Sequence, residues 1–395
     1  MDQFLAAVEI LRHPELAGLP VVVGGRGDPT ERAVVSTASY EARRFGIRSG
    51  MPLKTAVRRC PEAVFLPVDL PVYEAASAQV MDTLRAFPGT VVQLLGWDEA
   101  FVGIDSDDPE PTARALQAAV LEVTGLHCSI GIGDTLVRAK IATEFGKPRG
   151  VYRLTRHNWM DVMGDRPTTA LWGVGTRVAA RLAGLGIRTV RELAQAPDEP
   201  LIAEFGPNTG PHFGRLGRGA GSATVDDTPW VARAHGHETT YQRNLSTAEE
   251  IGQALRVLAD QVVADLRREG RAAARIHLKV RFAPFFTVTR IRKLPEPTYD
   301  PVVITQIALE LLHKLADDRP IRLLGVRAEM VPPEGGYDPP RTHGRRGGTL
   351  AADHIRRAGR THSGSDPSPA GSEIHDRSSR RRDGHRGPGS GQTRT

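Results

Sequence analysis

LLGWDEAFVGID, residues 94–105, sets two adjacent carboxylates, Asp98 and Glu99, inside an apolar run. In a half-buried strand each charge raises the cost of ionising the other, and desolvation adds to that cost. A divalent cation held by the pair offsets both. A hairpin that leaves the acids at a wet edge avoids the cost with no ligand at all. What flanks the pair decides between these, and with it the fold.

Working outward, the pattern is a β/α alternation. Phe4, Val8 and Leu11 in DQFLAAVEIL stand at helical spacing, so a helix starts almost at residue 1. LPVVVGG reads as a buried strand closed by Gly24 and Gly25, AVVSTASYEARRFGIRSGMP as a strand running into a short helix stopped by Gly46, and AVFLPV as another strand. An amphipathic helix over 71–87 precedes the acidic hairpin, and a helix from about residue 111 to about 123 follows it. CSIGIG is a strand, TLVRAKIATEFG a helix and GVYRL a last short strand, which together predict a mixed sheet.

From about residue 167 the texture changes to short helices and glycine turns. LWGVGTRVAARLAGLGIRTVRELAQA repeats a helix, a G-x-G turn and a second helix, and residues 207–231, rich in Gly and Pro, read as a linker. A second α/β unit follows, opened by a capping box of Ser246 and Glu249 ahead of the stripe Ile251, Leu255, Leu258 and Val262. In RIHLKVRF the apolar residues Ile276, Leu278, Val280 and Phe282 alternate with Arg275, His277, Lys279 and Arg281, a strand with a basic outer face. Asp300 and Pro301 cap a helix through Leu315, and IRLLGVRAE closes the unit. Residues 332–395 contain no Lys, Phe, Trp, Cys or Met, which fits a disordered tail. A shifted reading frame of GC-rich DNA gives the same composition, and both readings stay open.

Length and composition bound the rest. A chain of 395 residues holds about two to four domains. Cys60 and Cys128 are too few for a disulfide framework or a zinc site and point to a reducing compartment. No apolar stretch approaches a membrane span and the first residues lack signal-peptide character, so a soluble, cytoplasmic protein with no membrane partner is expected. The net charge of +6 is uneven: residues 332–395 carry 12 Arg against 7 acids and residues 232–331 are also basic, while residues 1–231 are slightly acidic. A metal-dependent site beside a polyanion-binding module suits that division.

STASYEARRFGIRSGMP, residues 36–52, is the strongest local signal. Thr37, Tyr40 and Arg43, with Arg44 and Arg48 after them, form a set able to hydrogen-bond phosphate oxygens, or else a solvated basic helix face. Lys147 in EFGKPRG could reach a phosphate or stay an exposed lysine, and Arg138 and Lys140 on the preceding helix read as solvated.

Taken together, VVSTASYEARRFGIRSGMP, WDEAF, CSIGIG with RAKIATEFGKPRG, LWGVGTRVAARLAGLGIRTVREL, and IRKL with RPIRLLGVR resemble the Y-family, translesion DNA polymerases of the DNA polymerase IV type, in order from residue 1 to about 330. The resemblance implies an α+β multidomain right hand. Its parts are a ferredoxin-like palm (1–10 and 71–160), small fingers (11–70), a helix-hairpin-helix thumb (161–220), a linker (221–235), an α/β little finger (236–331) and the tail (332–395). It implies error-prone, template-directed primer extension in DNA repair, with two Mg²⁺ per site for which Mn²⁺ can substitute. Asp98 would bridge both ions and Glu99 bind one. Thr37, Tyr40, Arg43 and Lys147 would hold the triphosphate. Gly173, Gly175, Gly184 and Gly186 would offer backbone N–H groups to DNA, and Arg275, Lys279, Arg281, Arg290 and Arg292 would bind it from the little finger. The expected partners are primer–template DNA and dNTPs, with rNTPs in addition, and the chain is expected to act as a monomer.

Three departures from the family pattern stand out. The family's first strand ends in Asp-x-Asp; MDQF aligns Asp2 with the second of these, so the strand and a third metal carboxylate are expected upstream of Met1, and the chain as numbered is expected to be impaired. Thr135 and Leu136 stand where the family has Asn-Lys. Leu5 stands where an aromatic residue lies under the incoming sugar, which implies relaxed sugar discrimination. A non-catalytic DNA-binding scaffold of a mutagenesis complex is the alternative reading.

Overall fold

The computed structural model describes residues 1–337. The expectations for the tail fall almost wholly outside these residues. Helix α1 (Phe4–Arg12) buries Phe4, Ala6 and Val8, but Leu11, expected on the same stripe, is 49 % exposed at the last turn. Three short strands follow in chain order: β1 (Val21–Val23), β2 (Thr37–Ala38) and, after α2 (Tyr40–Arg44) and α3 (Leu53–Arg59), β3 (Val64–Leu66). They form a sheet of order β2-β1-β3, antiparallel on one side of β1 and parallel on the other.

Strand alternation makes β1 a wall between two cores. Val21 and Val23 pack with Phe4, Tyr73 and Val120, while Val22 turns to Val35, Ala42, Ile47 and Leu53. The α1 segment and the 21–66 segment are therefore joined through one strand.

Helix α4 (Leu70–Ala86) leads to the antiparallel pair β4 (Val91–Leu94) and β5 (Ala100–Gly103). After α5 (Pro109–Thr124), β6 (Ile130–Gly133), α6 (Leu136–Gly146) and β7 (Val151–Leu154) make a parallel βαβ unit. The one mixed sheet expected here is two separate two-stranded ladders among the described residues. Residues 1 and 2 lie in the seam: the Met1 amine donates to Asp98 O at 2.5 Å and Asp2 N to His127 O at 3.1 Å.

The glycines of CSIGIG are explained by close approach. A Cβ on Gly131 would stand 2.1 Å from Ala139 O, and one on Gly133 2.3 Å from Ala139 N, so α6 rests directly on the β6 backbone. Gly131→Ala is therefore expected to destabilise the chain by about 1–3 kcal/mol, read as a lowered thermal midpoint.

The next helices are α7 (Trp159–Met163), α8 (Thr176–Gly184), α9 (Val190–Gln195), α10 (Asp198–Phe205) and α11 (Thr209–Gly217). Their core of Trp159, Met163, Leu182, Leu193, Leu201 and Phe213 also takes Ile141 and Ala142 from α6. Residues 209–217, expected within a linker, are helical. Their glycines serve packing: a Cβ on Gly210 would lie 2.5 Å from Leu201 O and one on Gly217 2.7 Å from Ala194 N. Beyond that helix the chain is without helix or strand from 220 to 233.

The last unit is β8 (Ala234–Leu245), α12 (Ala248–Glu269), β9 (Ala273–Phe282), β10 (Phe286–Thr298), α13 (Pro301–His313) and β11 (Ile321–Met330). The antiparallel sheet has order β10-β9-β11-β8. Ile276, Leu278, Val280 and Phe282 are all 0 % exposed in a core with Leu255, Leu258 and Val262 of α12 and Ile304 and Ala308 of α13. The capping box is one residue later than expected: Thr247 Oγ1 accepts from Glu250 N, and Glu250 accepts from the Thr247 and Ser246 N–H groups.

Histidines tie β8 to α12. His237 Nε2 lies 2.8 Å from Asp265 Oδ2, and His235 Nε2 3.2 Å from Glu269 Oε2. Burial pushes both carboxyls up, but His237 and Arg268 hold Asp265, and Arg271 and His235 hold Glu269, below the usual carboxylate value. A depressed folded pKa gives stability that is complete above the unfolded value of about 4 and is lost as pH falls through the folded one. Asp265→Asn is expected to narrow the drop in urea midpoint between about pH 5 and about pH 2.

Candidate active site

Asp98 and Glu99 sit in the turn between β4 and β5, where Leu95 N and Gly96 N both donate to Glu99 O, at 2.9 and 3.1 Å. Burial, first, and the neighbouring Glu99 raise the Asp98 carboxyl above its ordinary value, against the nearby amine of Met1. Glu99 goes the other way: burial raises it, but the Lys140 ammonium, donating to Oε1 at 2.7 Å, holds it low. Lys140 is thus not solvated as expected but serves as the positive partner of the acid pair. Arg138, also expected in solvent, is 8 % exposed. It pairs with Asp134 at 2.8 Å, donates to Arg218 O and lies over the Trp159 ring.

Two adjacent carboxyl groups, one whose charge is disfavoured by burial and one drawn to an ammonium, are oxygen donors of the kind a divalent cation takes. Asp2 is not a further donor. It is 4 % exposed, and its oxygens accept from Ser129 Oγ at 2.8 and 2.9 Å and from Arg149 N at 2.7 Å. Among the described residues no group of three His, Cys, Asp or Glu side chains is placed to hold a metal.

Thr37, Tyr40 and Arg43 are brought together by the sharp entry into α2. Ser39 caps that helix, accepting from Ala42 N at 3.3 Å and from Val21 N at 3.0 Å. Tyr40 N donates to Gln3 Oε1, which ties α2 to the start of α1. The Tyr40 phenol is buried with no hydrogen-bond partner among the described residues. Burial, and then the charge of Asp2, push it up to about 12, so it stays a proton donor and an orphan. Arg43 donates to Ala38 O at 2.9 Å and stacks 5.1 Å from the Tyr40 ring. Lys147 follows α6 and pairs with Glu144 at 2.6 Å. Thr135 caps α6, accepting from Arg138 N and donating to Gly219 O.

Helix α1 separates its first two side chains. Phe4, 4 % exposed, points into the core of Val21, Tyr73 and Val120, while Leu5 is only partly buried at the margin of that cluster.

Gly173, Gly175, Gly184 and Gly186 are all exposed, and a Cβ at any of them would meet nothing within 4 Å. Gly173 and Gly186 have φ of 88° and 81°, which only glycine adopts without strain. The turns before and after α8 therefore present open backbone.

On the sheet of the last unit the basic residues divide by face. Arg275, Lys279 and Arg281 are on the outer side, but Arg290 and Arg292 pair in register with Leu278 and Ile276 and so share the helix-covered side. Arg292 reaches Glu310 of α13. The outer row is partly neutralised: Arg275 by Glu329 at 3.1 Å, and Lys279 by Glu238 at 2.8 Å. Gly325, between these two strands, leaves the room for the second pair.

An α+β fold with an acid pair in a hairpin, a short basic and tyrosine-bearing helix, a glycine-turn helical unit and a four-stranded C-terminal sheet fits the class of the Y-family DNA polymerases. Residues 1–144 match the model of the impB/mucB/samB family, and residues 232–338 that of its C-terminal domain. DNA polymerase IV 2 of Mycobacterium tuberculosis is 49 % identical over 335 residues, spanning 84 % of this chain and 96 % of the relative. DNA polymerase IV of Methanoculleus marisnigri is 37 % identical over 343 residues, 85 % and 93 % of the two chains. Among solved structures, the Y-family chimera Dbh-Dpo4(243-245)-Dbh aligns with a TM-score of 0.75 at 23 % identity over 83 % of this chain and 96 % of that one. DinB from Sulfolobus solfataricus gives 0.54 at 24 % over 84 % and 97 %. The chain belongs to the Y-family and, within it, to the translesion DNA polymerases of the DNA polymerase IV type. Membership implies divalent metal ions, DNA and nucleotides. Among the described residues no helix is long and apolar enough to cross a membrane.

Proposed function

We propose that the chain extends a DNA primer by in-line attack of its 3′ hydroxyl on the α-phosphorus of an incoming nucleotide, releasing pyrophosphate, with Asp98 and Glu99 holding two Mg²⁺ ions that Mn²⁺ can replace. Bound there, the ions supply Lewis-acid charge to the attacking and leaving oxygens. Tyr40, Arg43, Thr37 and Lys147 hold the triphosphate. The Tyr40 hydroxyl donates to a phosphate oxygen, Arg43 offers its guanidinium edge, and Lys147 exchanges Glu144 for phosphate. Lys140 holds Glu99 in place until the cations arrive. The open turns around Gly173, Gly175, Gly184 and Gly186 donate N–H groups to DNA phosphates, and Arg275, Lys279 and Arg281 on the outer face of the last sheet add the little-finger contribution; Arg290 and Arg292, on the helix-covered face, are left out of it. The protein acts as a cytoplasmic monomer in lesion bypass, and Leu5 admits rNTPs beside dNTPs.

The observation that carries this reading is the buried, unpartnered Tyr40 hydroxyl on the same short helix as Arg43. Primer extension by Tyr40→Phe should show a raised KM for the nucleotide with DNA affinity unchanged. Equal loss of DNA affinity would make Tyr40 a structural residue and overturn its place in the site.

A further inference from the structure

The outer face of the last sheet is not uniform along β9. Arg275 and Lys279 each have a carboxylate partner, whereas Arg281 has none among the described residues. Among the described residues no ion pair involves Arg281, Arg322 or Arg32. Arg322 is placed there by a β-bulge. Ile321 pairs with Phe282 and Leu323 with Arg281, so Arg322 is the extra residue, and a bulge re-aims its side chain. Arg32, from the loop before β2, reaches the same end, donating to Tyr241 O at 3.2 Å and Asn244 Oδ1 at 2.6 Å on β8. Burial and the charges of Arg32 and Arg281 press the Arg322 pKa down, so the three guanidiniums feel one another.

Two aromatic rings project beside them. Phe285 is 67 % and Phe286 51 % exposed at the β9–β10 turn. Arg322 lies 4.9 Å from the Phe285 ring, and Arg319, itself paired with Asp317, 4.6 Å from the Phe286 ring. Exposed rings would ordinarily be buried or replaced by polar residues, and adjacent like charges would ordinarily gain a carboxylate. Both costs are offset by a ligand that is at once a polyanion and a set of flat apolar rings.

We infer that the Phe285–Phe286 turn, with Arg281, Arg322 and Arg32, is a stacking site for single-stranded DNA, which on the polymerase reading is the unpaired 5′ stretch of the template. The bases stack on the two rings and the phosphates lie against the arginines. A duplex does not satisfy the site, because its bases have no free faces to offer.

The test uses fluorescence anisotropy of the full chain with a blunt duplex and with the same duplex carrying a 5′ thymidine overhang of about eight nucleotides. The overhang is expected to tighten wild-type binding about ten-fold. Phe285→Ala with Phe286→Ala should erase most of that gain and leave the blunt duplex unaffected, while Phe285→Trp with Phe286→Trp should keep it. No overhang preference in the wild type, an undiminished gain in the alanine variant, or equal loss on both DNAs would each overturn the site. The last two would turn the patch over to a protein partner or to duplex binding. Primer extension by the full-length enzyme on the same DNAs keeps the two readings apart: extension with an undiminished overhang gain sinks the stacking site alone, and absent extension by that enzyme sinks the polymerase reading while the binding comparison still decides the site.

Discussion

In the full-length enzyme Asp98→Ala is expected to lower single-turnover primer extension by about three orders of magnitude, the scale of several kcal/mol of metal-borne charge stabilisation, while primer–template affinity holds. The structure separates this from a folding defect. Burial already disfavours the Asp98 charge, so removing it should leave the thermal midpoint unchanged or raise it. Glu99→Ala should cost comparable activity but behave differently in stability, because Lys140, 19 % exposed in its side chain, loses its partner. A loss of DNA binding in parallel with activity would show that the pair shapes the hairpin and nothing more.

Leu5→Phe carries the second large effect. On the proposed reading an aromatic ring at this position would fill the space a 2′ hydroxyl needs, and leucine would leave it open. A steric difference of that size is worth roughly 10- to 200-fold in selectivity. The neighbouring ring does not compensate: Phe4 is committed to the core with Val21 and Tyr73, and Leu5 alone is at the margin. The full-length enzyme is therefore expected to add successive ribonucleotides to a DNA primer, and Leu5→Phe to suppress this with little change in dNTP use. The measurement is the ratio of kcat/KM for dNTP and rNTP with Mg²⁺ and again with Mn²⁺. Strong and equal rejection of ribonucleotides by both proteins would refute it.

Much of the architecture was legible in the residues. The acid pair in a hairpin, the helix after Ser39, the glycine turns around α8 and the alternation along β9 each follow from patterns spanning a few residues. Within such windows backbone sterics and apolar periodicity dominate. Glycine misled the reading where it serves packing: α11 was expected as linker because Gly210 and Gly217 resemble flexible chain, whereas they let helices touch at the backbone. The capping box was displaced by one residue because Ser246 and Thr247 are equivalent as sequence and only the strand end decides between them.

The sequence by itself determined most of the elements, that an acid pair lies in a hairpin, and the family to which these motifs point. Only the tertiary structure decided how charge is distributed. Lys140 neutralises Glu99 from 41 residues away. Arg275 and Lys279 are paired across strands while Arg281 is left with Arg322, and Arg290 and Arg292 fall on the other face. Each of these turns on register, on a bulge or on which helix lies over which strand. Coulomb energy depends on distance through space and on local burial, and neither is encoded in spacing along the chain.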